Sequence, residues 1–394
     1  MVLVLVRPPY PEFLEDRLFF APNIETAAVA APGHWFAPYA HLQQTAAQRG
    51  VRIHTWDQYP TKSADCILFQ DLPSSRQEIL ALRGDVPQAA LVLQLLESPV
   101  GRPHWFVENN HRLFDAILTY NPHLFGKPGY FPFRLPIGLP PEMTGVSIPF
   151  SERKLLVLIN TNMKLGPTGA PFFRLWPPLT VVRAVREGGW CLPSRRETRE
   201  HMKAELYSRR REVARAAEAA RYDGLVDIFG RGWQRDTRGW HGEKVARPWR
   251  MVMPGRNYAR ARGPHAGCTK MDVIPRYRFC AAIENYSGDV GYISEKLFDA
   301  FYCGSVPVYW GESDITSLVP SSAFVDARKF RSAKALLAGL TAISENQWNR
   351  MRRAGEEFVD SRALDPFWPD AFASDVLRAV QAAVRNRSRR EPLA

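Results

Sequence analysis

Residues 283–311 constrain the fold of this chain more than any other stretch. They read IENYSGDVGYISEKLFDAFYCGSVPVYWG. The polar, turn-rich start predicts a loop, and the apolar spacing over residues 293–301 predicts a helix after it. Gly304 stands where a helix commonly ends on a glycine, and residues 305–310 predict a short apolar strand. The stretch therefore predicts a loop, a helix and a strand in succession.

The predicted loop joins the helix at its N-terminal end. Backbone N–H groups there lack intrahelical partners, and the helix dipole is positive. Diphosphates commonly bind at such a place, and Lys296 adds a full positive charge one turn into the helix. The alternative is a helix that only packs, with Glu295 and Lys296 on its solvated face. The residues alone leave both interpretations open.

Three segments of this stretch carry a family likeness: EN at 284–285, GYISEKL at 291–297 and GSVPVYWG at 304–311. In order and spacing they resemble the signature of the family 10 α-1,3/1,4-fucosyltransferases. That signature has an aromatic residue, Glu-Asn, a spacer, Tyr-Val-Thr-Glu-Lys and then Val-Pro-Val. Ile283 replaces the aromatic residue and Ser294 the threonine. The fixed spacing makes the motif more specific than a lone glycine-rich loop.

Short strands alternate with helices along the first 150 residues, which predicts an open α/β sheet. Pro136–Pro149 holds four prolines and two glycines, which predicts a linker, and the pattern restarts after it. The sequence therefore predicts an α/β protein with two Rossmann-like domains facing a cleft. The resemblance implies the GT-B glycosyltransferase architecture.

Three units follow from this division. We predict an acceptor-binding domain over residues 1–145 and a nucleotide-sugar-binding domain over residues 150–362. A C-terminal helix and basic tail would occupy residues 363–394. Within the second unit, we predict one long helix over Thr198–Ala220 and a strand over Tyr277–Ile283.

Glu97 follows the apolar run Leu91–Leu96, at the C-terminal end of a predicted buried strand. A carboxylate half shielded by apolar neighbours has a raised pKa and can act as a general base. The alternative is a carboxylate that caps the next turn. In the family, a Phe-Glu-Ser-Pro-like segment supplies the proposed base, and residues 96–99 match it except for leucine at the aromatic position. The resemblance therefore implies the base role for Glu97.

An arginine cluster precedes the predicted strand Leu225–Phe229. In the family, an arginine on the helix before this strand contacts the diphosphate. A guanidinium suits that contact because it stays charged and binds oxygens in pairs. We assign the contact to Arg211, with Arg210 as the next candidate. The alternative is an ordinary basic helix face.

The resemblance assigns further donor-site roles within the opening stretch. Lys296 would bind the diphosphate, and Glu295 would contact hydroxyls of the sugar or ribose. Asn285 and Tyr292 would line the nucleotide pocket, although Tyr292 has core packing as its alternative. Glu284 would orient the loop.

Asn160 and Asn162 follow the first strand of the second domain, where the family also has an asparagine-containing segment. The resemblance implies a donor-site role for Asn160, and Lys164 would face the phosphates. The insertion over residues 165–194 is not part of the family pattern, and its role is open.

The net charge of +12 suits nucleic acid, a membrane surface or an acidic small substrate. Nucleotide sugars are acidic, so charge does not decide the partner. The cysteines and histidines form no metal-ligand spacing, and we expect neither a metal nor another cofactor. The odd cysteine count fits a reducing compartment. The apolar run Met1–Val6 is too short for a signal peptide or membrane span, so we expect a cytoplasmic protein with at most peripheral membrane contact.

These observations lead to one hypothesis: an inverting transferase that moves L-fucose from GDP-fucose to a hydroxyl of an oligosaccharide or glycoconjugate acceptor. The first alternative is a GT-B transferase of the same family that uses another nucleotide sugar. The second is a non-enzymatic, basic nucleic-acid-binding protein. The sequence lacks the RNP, zinc-finger and helix-turn-helix signatures that would favour this second alternative, so we expect no nucleic-acid partner.

Overall fold

The computed structural model describes most of the chain as two α/β domains. The described residues are 1–20, 24–25, 30–31, 37–138, 143, 148–162, 188–220, 222, 224–230, 233, 261–262, 269–288 and 290–389. Lys164, most of the 165–194 insertion and the end of the basic tail lie outside them. In the described part, no helix is long and apolar enough to cross a membrane.

The first domain is built on a six-stranded parallel sheet of order β4-β1-β5-β6-β7-β8. β2 and β3 form a separate two-stranded pair. The strands are β1 Val2–Arg7, β2 Ile24–Glu25, β3 Ala30–Ala31, β4 Val51–Thr55, β5 Cys66–Gln70, β6 Ala90–Gln94, β7 Ala116–Thr119 and β8 Tyr130–Pro132. β5 and β6 are buried at every position, as continuous apolar runs in a sheet covered on both faces should be.

The second domain repeats this plan with a parallel sheet of order β11-β10-β9-β12-β13-β14. Its strands are β9 Lys154–Ile159, β10 Val226–Phe229, β11 Ala261–Arg262, β12 Tyr277–Gly288, β13 Val306–Glu312 and β14 Val325–Asp326. The prediction of two Rossmann-like domains is therefore confirmed.

Helices cover the faces of the two sheets. In the described residues they are α1 Arg17–Phe20, α2 Ala37–Gln48, α3 Arg76–Asp85, α4 Glu108–His111, α5 Arg195–Lys203, α6 Tyr207–Ala219, α7 Lys270–Val273, α8 Glu295–Tyr302, α9 Ala333–Ala342, α10 Glu345–Val359 and α11 Pro369–Ser388. The helix α8 ends as predicted, because Gly304 adopts φ +58° directly after the C-cap residue Cys303.

The C-terminal helix α11 returns to the first domain. Its apolar face, including Phe372, Val376 and Val380, belongs to the same buried core as Val4 and Leu42. The sequence predicts a helix here but gives no indication of which domain it covers. The first domain therefore contains residues from both ends of the described chain.

Two predicted elements differ from the structure for one shared reason. The strand predicted to end at Ile283 runs to Gly288, and the helix predicted over Thr198–Ala220 is broken between Lys203 and Tyr207. The break occurs because residues 204–206 pair with the extended end of β12. Leu206 N–H donates to the Asn285 carbonyl at 3.2 Å, and Ser287 N–H donates to the Ala204 carbonyl at 2.7 Å. Pairing between distant segments thus overrides a good local helix sequence.

The second domain touches the first through the loop between β12 and α8. Tyr292 is buried in the core of the first domain, and its ring lies 5.4 Å from that of Tyr120. Gly291 adopts φ +74°, and a Cβ there would lie 2.4 Å from the Tyr120 carbonyl oxygen. We expect this close approach of main chain to main chain to help set the relative position of the two domains.

Candidate active site

A cavity of about 850 Å³ lies between the two domains. Arg7 and Gln70, the last residues of β1 and β5, line it from the first domain. Tyr292, Glu295 and Lys296 line it from the second domain, at the start of α8. Ligands of open parallel sheets bind beyond the carboxyl ends of the strands, which is where this interdomain cavity lies.

Glu97 lines the interdomain cavity from the turn that follows β6. Its Oε2 accepts a hydrogen bond from Ser98 N–H at 3.2 Å, and its main-chain carbonyl accepts one from the Tyr120 hydroxyl at 2.5 Å. Burial raises the pKa of the Glu97 carboxyl, and the positive charges of Lys296 and Arg102 only partly oppose this. Glu97 is therefore a shielded carboxylate, as its place after a buried strand predicts, and it experiences the charges of Arg102 in the first domain and Lys296 in the second.

Glu284 lies behind the second-domain wall of the cavity and holds the residues of that wall in place. It is fully buried and accepts hydrogen bonds from Ser294 N–H at 2.8 Å, from the Ser294 hydroxyl, and from Lys296 Nζ at 3.2 Å. The Ser294 hydroxyl also lies 2.8 Å from Lys296 Nζ. Glu284 thus ties the first turn of α8 to the lysine that faces the cavity, which fits its predicted orienting role.

Glu295 is held in its ionised form by two lysines. Burial would raise its pKa, but Lys296 and Lys270 outweigh that effect and lower the pKa of Glu295 to about 2. Lys270 Nζ lies 3.6 Å from Glu295 Oε1 and forms a second ion pair with Asp299. Burial raises the pKa of Asp299 to about 6. Glu295 therefore offers the cavity a charged acceptor for hydroxyl groups.

Asn285 lines the cavity and is fixed from behind by Arg210. The Arg210 guanidinium is buried and donates to the Ile283 carbonyl at 3.0 and 2.6 Å and to Asn285 Oδ1 at 2.8 Å. The Asn285 amide nitrogen in turn lies 3.5 Å from the Tyr292 hydroxyl. Arg210 therefore supports the cavity wall and does not line the cavity.

The structure brings five of the predicted residues to one cavity: Glu97, Asn285, Tyr292, Glu295 and Lys296. Arg211 and Asn160 are not among the described residues that line it. Arg211 is half-buried on α6, and Asn160 is buried at the end of β9, where its carbonyl accepts a hydrogen bond from Trp233 Nε1 at 2.5 Å. Their donor contacts remain predictions.

Several residues that the sequence did not single out also shape the cavity. Asp71 and Arg102 line it from the first domain, and the Arg102 guanidinium lies 5.5 Å from the centre of the Trp105 ring. Lys270, whose positive charge lowers the pKa of Glu295, lies at the end of a stretch in which the sequence shows no recognisable motif. The strand-end rule that indicated Glu97 applies equally to Asp71 directly after β5 and would have found it.

Among the residues that the structure describes, the interdomain cavity has no recognisable metal site. Over the described ranges, no group of three or more His, Cys, Asp or Glu side chains is placed to hold a metal ion. The charged groups that face the cavity there are lysine, arginine and carboxylate side chains.

The comparison with protein families matches the part of the chain that forms the second-domain wall of the cavity. Residues 226–352 match the glycosyltransferase family 10 (fucosyltransferase) C-terminal domain. Residues 226–352 are therefore similar to a domain of the family 10 glycosyltransferases. This domain includes β12, α8 and β13, and therefore the three segments that carry the resemblance. The predicted resemblance is confirmed.

Curated proteins match parts of this chain. An α-(1,4)-fucosyltransferase of Arabidopsis thaliana is 37% identical over 87 residues, 21% of this chain and 21% of its own length. The α-(1,3)-fucosyltransferase 7 of Homo sapiens is 36% identical over 97 residues, 24% of this chain and 28% of its own. The segments of this chain that match therefore span about a quarter of the length of these relatives.

Solved structures align over most of the chain at low identity. A crystal structure of an α1,3-fucosyltransferase with GDP is 13% identical, with a TM-score of 0.47, and covers 96% of this chain and 90% of its own. Anabaena HepE in complex with UDP-glucose is 10% identical, with a TM-score of 0.47, and covers 97% of this chain and 100% of its own.

Proposed function

We propose that this protein transfers L-fucose from GDP-fucose to a hydroxyl of a glycan acceptor, with inversion at the anomeric carbon. One observation carries the proposal. A shielded carboxylate of the first domain, Glu97, shares a single cavity with Lys296 and Glu295 of the family 10 domain. A base on one wall and a cation on the other is the arrangement that displacement of a diphosphate requires.

The donor would bind against the second domain. The positive N-terminal end of α8 and Lys296 would bind the diphosphate, and Glu284 holds both in place. Glu295 is ionised and would accept hydrogen bonds from hydroxyls of the ribose or sugar. Asn285, fixed by Arg210, would line the nucleotide pocket. These donor contacts follow the roles that the family resemblance implies.

The acceptor would approach from the first domain. Glu97 takes the proton of the attacking hydroxyl, and the hydroxyl oxygen forms a bond to the anomeric carbon. The bond from that carbon to the β-phosphate oxygen breaks, and its electron pair leaves with GDP. Lys296 stabilises the negative charge that develops on the leaving diphosphate. Burial keeps the Glu97 carboxyl more basic than an exposed glutamate, which suits proton abstraction near neutral pH.

The experiment measures binding and transfer in parallel. Calorimetry with GDP, GDP-fucose, GDP-mannose and UDP-sugars, with and without chelator, identifies the donor and its metal requirement. Transfer of labelled fucose to a panel of oligosaccharides is then compared for the wild type and for Glu97→Gln. Glu108→Gln, at an exposed position of the same domain, is the matched control.

We expect GDP-fucose to bind with chelator present. We also expect Glu97→Gln to lose about 100- to 10,000-fold in kcat while its affinity for GDP-fucose stays unchanged. Full transfer by folded Glu97→Gln would exclude Glu97 as the base. Binding of UDP-sugars in place of GDP-fucose would overturn the assigned donor.

A further inference from the structure

Asp71 has an unusual backbone conformation beside the candidate base. It directly follows β5, is 6% exposed and adopts φ +70°. This left-handed region is uncommon for residues other than glycine, although aspartate adopts it more readily than most. Backbone strain of this kind persists where the surrounding structure enforces it, and it is concentrated at functional sites.

Asp71 forms hydrogen bonds with the chain segment that carries Glu97. Asp71 N–H donates to the Gln94 carbonyl at 2.8 Å, and Asp71 Oδ1 accepts from Leu96 N–H at 2.7 Å. One residue thus binds the segment on both sides of Leu95, at the point where β6 ends. The left-handed backbone makes this possible, because it turns the side chain of Asp71 back toward the neighbouring strand.

We propose that Asp71 is a positioning residue that holds the Leu96–Glu97 segment so that the Glu97 carboxylate faces the acceptor hydroxyl. This inference rests on the proposed function of Glu97 as the base. Asp71 itself moves no proton in the reaction. Its contribution is to hold Glu97 in place before the acceptor binds. This matters because misplacement of a catalytic group by about 1 Å can cost about 100-fold in rate.

Two substitutions at Asp71 separate the hydrogen bond from the charge. Asp71→Gly adopts a positive φ without strain and removes the acceptor of the Leu96 N–H. Asp71→Asn also removes the charge, but its side-chain oxygen can still accept that hydrogen bond, and asparagine tolerates the same backbone region. Both variants lose the carboxylate, so the difference between them reports the bond to Leu96.

Asp65 provides a matched control at the other end of β5. Its Oδ2 accepts a hydrogen bond from Leu3 N–H at 2.8 Å, so it binds a neighbouring strand as Asp71 does. It does not line the described wall of the cavity. Asp65→Gly therefore removes a comparable hydrogen bond far from Glu97 and shows what a purely structural loss does.

The test measures kcat and the acceptor KM for each variant, together with hydrogen exchange of the peptide that covers residues 94–101. We expect Asp71→Gly to lower kcat by about 10- to 100-fold with unchanged affinity for GDP-fucose, and Asp71→Asn to recover most of that loss. We also expect exchange of the Leu96 amide to rise about 5-fold in Asp71→Gly, as for one lost hydrogen bond, and to stay unchanged in Asp65→Gly.

Unchanged exchange in Asp71→Gly, or a kcat equal to that of Asp65→Gly, would overturn the proposal. The exchange measurement needs no substrate. If the wild type transferred no fucose, the proposed function would fail, and the exchange of residues 94–101 would still decide whether Asp71 holds this segment.

Discussion

Gly291→Ala is the substitution that most directly tests the contact between the two domains. A Cβ at Gly291 would lie 2.4 Å from the Tyr120 carbonyl oxygen. Ordinary contacts between carbon and a carbonyl oxygen begin at about 3.4 Å, so the two main chains must separate by about 1 Å. Glu97 lies on the Tyr120 side of this contact and Lys296 on the other side. A displacement of about 1 Å between reacting groups can cost about 100-fold in kcat.

Gly50→Ala is the matched control for backbone strain. Gly50 has φ +71°, close to the +74° of Gly291, but a Cβ there would have no atom within 4 Å. Both alanine variants bear about 1–2 kcal/mol of left-handed strain, and only Gly291→Ala adds the clash. We expect Gly50→Ala to lose thermal stability alone and Gly291→Ala to lose stability and about 100-fold in kcat. Equal kcat values for the two variants would refute the claim that this contact sets the domain spacing.

Three further predictions concern single residues. Lys296→Met should weaken GDP binding about 10- to 100-fold by calorimetry, since a hydrogen bond to a charged group is worth about 1.5–3 kcal/mol, and Lys203→Met on the exposed surface should not. Burial raises the pKa of Glu97, so its contribution to stability is present below the ordinary carboxyl pKa and lost as pH rises through the folded value. The Tm of Glu97→Gln relative to the wild type should therefore increase from about pH 4 upward, and a constant difference would contradict this. Ser344→Ala should cost about 1 kcal/mol in urea unfolding, because Ser344 forms the capping box of α10, and an unchanged midpoint would exclude that role.

Much of the second-domain wall of the cavity follows from local sequence. Within the motif, residues 293–304 contain the start of α8, Lys296 and the glycine that follows the C-cap residue, so this helix depends mainly on neighbours in the chain. Glu97 was found by an equally local rule, its place after a buried strand. The break at residues 204–206 depends on pairing with β12 about 80 residues later, and no nearby residue indicates it.

The arginines and the buried charges also differ in whether neighbouring or distant residues decide their positions. Arg210 and Arg211 are adjacent and chemically identical, and only packing decides that Arg210 points inward to Asn285. Lys270 and Asp299 influence Glu295 through contacts across separate elements, which no spacing rule predicts. The sequence therefore predicts which residue types stand near the site better than which of them reach the cavity.

The return of α11 to the first domain has a consequence for biosynthesis. The first sheet is complete once residue 132 has been made, but the apolar side chains of α2 and of the strands that pack on α11 lack this helix until residues 369–388 follow. The described core of the second domain lies between these two segments. We therefore expect the first domain, although its sheet is made first, to reach its native state only after α11 has been made. A released chain that ends at residue 368, directly before α11, should hold a folded second domain and a protease-sensitive first one.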